Sequence, residues 1–488
     1  MHLIKYEIGV LILGLGVLLL DLWMPAENRR KLGYLAAAAL GLMLVATFIW
    51  PPFTYKIVAG KEWWVLNELA FYDQFTSDGL GLFFKRLFLA AGALVMLLAA
   101  EFSPRLQSGV SEYFSLMLFA LAGMMFAAGA NTFATLFVSI ELITVSFYVL
   151  TSFQRNRQSS LEAGVKYLIL GAMASAFMVY GIALVYGMSN TMNFQELSQR
   201  APALADKPLF LLGLLLVIAG LAFKIAAFPL QIWAPDVYQG SPTPTVAFLA
   251  IGSKAAGFAL LLRLVMIVLP RELVLHWNKL FMVMSAVTIL YGSLCAIPQR
   301  NLKRLLGYSS IANAGYLLLG IAALTQAGSG AVLYYLSGYL FTVIAAFTVL
   351  AVAIKASDAE DISALHGLGK RSPFLAAAMT LSIVSLAGVP PLAGFFGKFL
   401  LFKAALEAGP AYYWLVGVAI VGVVISIYYY FAVIRAIYWG GEPADASPIR
   451  VPLPIKLSLA TCIAGMFFLG IYPATWMRWV GYAVESIR

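Results

Sequence analysis

Glu141, Lys166, Lys224, Lys254 and Lys398 each stand in sequence that is otherwise apolar. Glu141 is central to Phe137-Val138-Ser139-Ile140-Glu141-Leu142, Lys166 opens one apolar run, and Lys224 lies deep in the next. Lys254 is central to a third run, and Lys398 follows a proline-rich break in a fourth. A charge at the centre of a membrane helix costs about 2.5–3.5 kcal/mol even on the lenient insertion scale, so each one needs a partner or a wet cavity. One acid among four lysines cannot satisfy them all by a permanent ion pair. Desolvation weakens a lysine's hold on its proton, and a nearby carboxylate strengthens it. A lysine whose distance from Glu141 varies would therefore load and release a proton, and proton transfer is the chemistry these residue types offer. A static pair of Glu141 with Lys224 or Lys166 is the structural alternative. Lys166, near the end of its run, can also snorkel to the interface. Arg263 keeps its proton and is expected to snorkel toward the outer face. Tyr334, Tyr335, Tyr339, Tyr428, Tyr429 and Tyr430 are expected to serve aromatic packing first. Ser309, Ser310 and Asn313 suit either helix contacts or the holding of water.

The elements that must position these residues are membrane helices. Of the 488 residues, 62% are hydrophobic and 11% charged, a composition outside the soluble class. Runs of roughly 20 apolar residues, the length that spans a bilayer core, recur from Glu7 onward about fourteen times. The first run lacks a small-residue cleavage site and reads as a retained span. Pro51 to Asp78 and Ser189 to Pro208 are the longest polar breaks, expected to hold a hairpin or a short surface helix. The seventh span runs through Phe228-Pro229 into Trp233-Ala234-Pro235-Asp236, and the twelfth contains Gly388-Val389-Pro390-Pro391 before Lys398. Proline removes a donor and clashes with the preceding turn, so both spans should break there. Breaks five spans apart fit an all-α polytopic fold with two inverted five-helix repeats, helices 4–8 and 9–13. The expected divisions are 1–110 for three N-terminal helices, 111–270 and 271–440 for the repeats, and 441–488 for a last helix. Trp63, Trp64 and Trp233 are expected at headgroup level.

Several functions are disfavoured. Cys295 and Cys462 are the only cysteines, too few to ligate an iron–sulfur cluster, and His2, His276 and His366 fall in or beside loops, away from any haem-like position. The chain is expected to hold no cofactor or metal of its own. The net charge of +10 is spread over many loops without an aromatic-lined basic patch, so nucleic acid is not an expected partner. Topology explains the charge better. With the N-terminus outside, Arg29, Arg30, Lys31, Arg105, Arg155, Arg157, Lys303, Arg304 and Lys355 fall on the cytoplasmic side of a bacterial inner membrane.

Three stretches carry a family resemblance. From Phe223 the chain reads FKIAAFPLQIWAPDVYQGSPTPTVAFLAIGSKAAGFA, from Asn301 NLKRLLGYSSIANAGYLLLG, and from Gly388 GVPPLAGFFGKFLLF. With Glu141, these closely resemble the N-subunit family among the antiporter-like subunits of NADH:quinone oxidoreductase, respiratory complex I. The resemblance covers essentially the whole chain. It implies fourteen helices with broken helices 7 and 12, and it matches Glu141 to the fifth-helix acid and Lys224 to the lysine paired with it. Lys254 matches the eighth-helix linking lysine, Lys398 the twelfth-helix lysine, and Lys166, less closely, a sixth-helix lysine. Where relatives often carry histidine this chain has Asn313, whose amide does not titrate, and water held by it is the expected substitute for a relay there. The expected route is proton uptake by a cytoplasmic half-channel near Glu141 and Lys224, passage along the membrane midplane through Lys254 to Lys398, and release to the periplasm. FMN, iron–sulfur clusters and quinone would sit in other subunits, and neighbouring antiporter-like and small membrane subunits would be partners. A subunit of a multi-component sodium/proton antiporter is the alternative, and a structural membrane subunit without transport a third.

Overall fold

The computed structural model describes residues 2–52, 54–58, 61–65, 68–270, 274–354, 360–441 and 447–486. Lys355 lies outside them, as do the side chains of Trp63 and Trp64. The chain begins with α1 (Lys5–Asp21) and α2 (Arg30–Ile49), then two short hairpins, β1 (Thr54–Val58) with β2 (Lys61–Val65) and β3 (Glu68–Ala70) with β4 (Phe75–Ser77). α3 (Gly79–Phe102) starts on the Asp78 carboxylate, which accepts from the Gly81 amide at 2.7 Å. α4 (Val110–Ala128), α5 (Phe133–Thr151) and α6 (Gln158–Ser189) follow. α7 (Phe194–Leu204) is a loop helix capped by Asn193. Both long polar breaks thus hold the expected kinds of element.

The seventh span is α8 (Pro208–Ile225) plus α9 (Trp233–Gly240), and the eighth is α10 (Thr243–Phe248) and α11 (Lys254–Arg263) joined by a π-helical turn, Leu249–Ser253. α12 (Val274–Ala296), α13 (Leu302–Ala322) and α14 (Gln326–Ala353) are continuous. A short α15 (Leu368–Arg371) precedes the twelfth span, α16 (Pro373–Ala387) and α17 (Ala393–Glu407). α18 (Tyr413–Trp439) and α19 (Leu453–Ile471) complete the spans. The 441–488 stretch, expected to hold one last helix, holds a second, α20 (Pro473–Glu485), which folds back on α3 and α14. Its end is tied where Ser486 Oγ accepts from the Leu80 amide at 3.0 Å.

Among the described residues thirteen helices are long and apolar enough to cross a membrane. The twelfth span falls short because each half has 15 residues, about 22 Å of helix against a core of about 30 Å. The breaks fall at spans seven and twelve, the equivalent positions of the two five-helix repeats. α13 is buried along its length and α14 nearly so. α1, α2, α6 and α18 turn apolar side chains such as Ile12, Leu42, Ile169 and Val424 outward, as lipid requires.

Backbone groups freed at the breaks are satisfied inside the protein. Ala226 closes α8 in the left-handed conformation, at φ +57°, and the Ala227 amide donates to Ala222 O at 2.8 Å. The Trp233 indole N–H reaches back to Phe223 O at 2.9 Å. Trp233, expected at headgroup level, is instead buried inside the protein at the break, where its indole is a second donor to a carbonyl that also accepts from the Ala226 amide at 3.1 Å. At the second break Gly388, at φ +86°, closes α16. Residues expected on the cytoplasmic side meet at one end of the molecule. Arg105 donates to Ile354 O at 3.1 Å there, and Arg157 pairs with Glu360 at 3.4 Å.

Candidate functional site

α5 presents Glu141 and Thr144 one turn apart. Glu141 is half-buried and accepts a hydrogen bond from Ser175 Oγ of α6 at 2.6 Å. A cavity of 560 Å³ beside it is lined by Phe137, Tyr148, Ser175, Val179 and Tyr180, and it opens on the flank of the molecule. Lys224, in the last turn of α8, is buried, and its ammonium donates to Thr144 Oγ1 with the Tyr167 ring 5.9 Å away. Glu141 and Lys224 therefore approach the same stretch of α5, but no ion pair of 4.0 Å or less joins them. A hydroxyl lies at the lysine where direct pairing was implied.

Lys254 directly follows the π-helical turn, a wider winding with i→i+5 bonds, and its side chain meets α13. Its ammonium donates to Ser310 O and Ser310 Oγ, each at 2.5 Å, and Ser310 Oγ also meets the Tyr238 hydroxyl at 2.9 Å. From Ser310 polar groups continue along α13. Asn313 Oδ1 accepts from the Tyr335 hydroxyl at 2.6 Å, and Asn313 Nδ2 donates to Ser309 Oγ at 3.4 Å. Ser309 Oγ meets the Tyr430 hydroxyl at 2.5 Å. One turn beyond Asn313, the Tyr316 ring lies 4.8 Å from the Lys398 ammonium. Lys398 is buried and donates to Leu386 O at 2.8 Å and Ala387 O at 3.2 Å, the last carbonyls of α16. A cation there meets the negative end of the half-helix dipole. Lys254 and Lys398 thus have neutral oxygens as partners, and α13 carries hydrogen-bonding groups between them.

Lys166 stands apart. It pairs with the exposed Glu162 at 2.7 Å and the partly exposed Asp236 at 2.8 Å, and Asp236 also pairs with Arg304. It lies nine residues from Ser175 on α6, about 13 Å along the helix from the Glu141 contact. Lys224, Lys254 and Lys398 are therefore buried, Glu141 borders the open cavity close to Lys224, and Lys166 joins a surface ion cluster.

The remaining buried charges escaped the sequence. Arg263 does not snorkel. It grips Asp78 through two hydrogen bonds of 2.7 and 2.8 Å and also donates to Ala128 O, tying α11 to the ends of α3 and α4. The partners are 185 residues apart, so local pattern carried no sign of the pair. Glu7 and Lys85, both fully buried, pair at 2.8 Å between α1 and α3. Lys85 was findable, since it sits within an apolar run as Lys254 does. Tyr335 and Tyr430, expected to pack, also hydrogen-bond the polar residues of α13.

The family model for the membrane region shared by NADH:quinone oxidoreductase and Mrp antiporters matches residues 130–426. The chain is 39% identical to NADH-quinone oxidoreductase subunit N of Moorella thermoacetica, over 97% of this chain and 96% of that protein. It is 38% identical to subunit N of Desulforamulus reducens, over 99% of this chain and 98% of that protein. The chain belongs to the subunit N family of NADH-quinone oxidoreductase. A chain of respiratory complex I from Thermus thermophilus with bound aureothin superposes with a TM-score of 0.79 at 31% identity, covering 97% of this chain and 99% of that one. A chain of the Mrp complex from Dietzia sp. DQ12-45-1b shares the fold at TM-score 0.81 and 20% identity, over 100% of this chain and 97% of that one. As a member of the subunit N family the chain is a multi-pass inner-membrane protein of antiporter-like, proton-translocating fold.

Proposed function

We propose that this chain moves protons within NADH:quinone oxidoreductase, with Glu141, Lys224, Lys254 and Lys398 as the groups that exchange them. The observation that carries this is the state of Lys254 and Lys398: both are buried, both are held by neutral oxygens, and α13 places Ser310, Ser309 and Asn313 between them. An ammonium in that setting needs no break of an ion pair to change protonation, only a change in local charge or water. A purely structural cation would gain most from a fixed carboxylate, as Arg263 has in Asp78. Lys166 has its own surface partners, and its role in this proposal is to tune the conducting line electrostatically.

Electron transfer from NADH to quinone, with FMN, iron–sulfur clusters and quinone, belongs in this proposal to other subunits. Its energy reaches this chain as altered ion pairing. Glu141 supplies the contact point, because a half-exposed acid at mid-helix on a lipid-facing flank is costly unless another subunit covers it. A neighbouring antiporter-like subunit on the α5–α6 face fits that need, and small membrane subunits fit the outward apolar faces elsewhere.

The test is pumping per NADH oxidised by the assembled complex in vesicles. Lys254→Met and Lys398→Met should lower the ratio while uncoupled NADH oxidation persists. An unchanged ratio in both variants would sink the proposal.

A further inference from the structure

A second cavity lies at the end of the molecule where the basic loops gather. It measures 320 Å³ and is lined by Arg105, Gln154, Arg157, Thr243, Lys303 and Glu360, among others. Its floor is chemically organised. Lys303, at the start of α13, is buried; its ammonium donates to Ser241 O at 2.8 Å and pairs with Glu360 at 2.9 Å. Glu360 is 14% exposed and also faces the exposed Arg157 at 3.4 Å. The carboxylate thus has one side on the cavity and one on a buried lysine.

The floor of this cavity points at Lys254. Lys303 and Ser310 are seven residues apart on α13, two turns on one face and about 10 Å along the axis. Ser310 holds Lys254, and the Tyr238 hydroxyl, one turn before Ser241 on α9, touches Ser310. Gly307 stands between, and a Cβ there would meet Tyr238 Cβ at 3.4 Å and Pro235 Cα at 3.2 Å. The cavity beside Glu141, by contrast, opens sideways toward the flank and not toward the basic loops.

We infer that the Glu360–Lys303 pair is the cytoplasmic proton-uptake port that feeds Lys254. This rests on Lys254 being a proton carrier as proposed above. A proton from cavity water binds a Glu360 oxygen, and Lys303 loses its counter-ion. Its ammonium then releases a proton along water and the Tyr238–Ser310 hydroxyls to a neutral Lys254. Lys303 is restored by the proton on Glu360, whose carboxylate is regenerated. One proton has moved inward, and no other bond has changed.

Lys303→Arg decides between port and brace. Arginine can keep the pair with Glu360 and the contact with Ser241 O but does not give up its proton. A brace tolerates it and a port does not. In the assembled complex in vesicles, Lys303→Arg should lower protons pumped per NADH to the level of Lys254→Met, and the double variant should fall no further. Glu360→Asp, which retains an acid one methylene further from Lys303, should lose less than Glu360→Gln and provides a second measure if Lys303→Arg assembles poorly. Normal pumping in Lys303→Arg, or in Glu360→Gln alongside loss in Lys254→Met, overturns the port. Normal pumping in Lys254→Met itself overturns the earlier proposal instead.

Discussion

Lys224 and Lys398 stand beside the two breaks but answer different needs. Lys224 reaches across to a hydroxyl of α5, and the neighbouring Phe223 carbonyl is shared by the Ala226 amide and the Trp233 indole. Lys398 reaches back to two carbonyls of the preceding half-helix. Removing Lys398 therefore strands backbone acceptors as well as a proton site, and its loss should cost stability where loss of Lys224 costs less. Between Lys254 and Lys398 the smallest informative change is Tyr430→Phe, which takes the hydroxyl from Ser309. Ser309 Oγ keeps the 3.4 Å contact from Asn313 Nδ2, so the loss is that of one hydrogen bond, about 0.5–1.5 kcal/mol. Pumping per NADH should fall with a modest loss of thermal stability. Tyr428→Phe, on the outward face of the same helix, should leave both unchanged.

At the scale of elements, the broken helices depend on single backbone positions. Gly388 adopts φ +86°, and a Cβ there would lie 3.0 Å from Lys398 Cδ. Gly388→Ala combines a left-handed penalty of about 1–2 kcal/mol with displacement of the lysine. Both the melting temperature of the detergent-solubilised complex and its pumping should fall. Gly417→Ala, inside α18 with nothing within 4 Å of the added carbon, should be neutral or slightly stabilising. The π-helical turn before Lys254 works the same way, through one extra residue per turn and not through a side chain.

For the molecule as a whole, the buried charges sort into closed braces, carriers held by neutral oxygens, and the Lys303–Glu360 pair, whose carboxylate also borders a cavity. Asp78–Arg263 and Glu7–Lys85 tie the N-terminal helices to each other and to α11 with complete charge partners. Asp78→Asn keeps the cap on α3 but leaves Arg263 without its counter-charge. Breaking such a pair costs about 3–5 kcal/mol, so the amount of assembled complex in membranes should drop. Glu141→Gln should leave assembly near normal, because its partner is a hydroxyl that an amide can also accept from, and should lower pumping. If the two variants behave alike, the division between braces and carriers is wrong.

Apolar run length and proline placement determined the spans and the two breaks, because lipid forces every backbone bond to close within a helix or against buried protein. The cost of burying charge likewise marked Glu141, Lys224, Lys254 and Lys398 in advance. Tertiary structure decided the rest. Which oxygen each ammonium meets depends on helices far apart in the chain, as with Lys254 and Ser310, or Arg263 and Asp78. Lys166 looked like its neighbours in sequence but lies beside Asp236, since a helix of 32 residues carries its first turns beyond the zone that holds Glu141. Tyr335 and Tyr430 gained a polar role only when α13 turned Asn313 and Ser309 toward them. Burial cost is written residue by residue, whereas partners are set by packing, and packing is a property of the assembled helices.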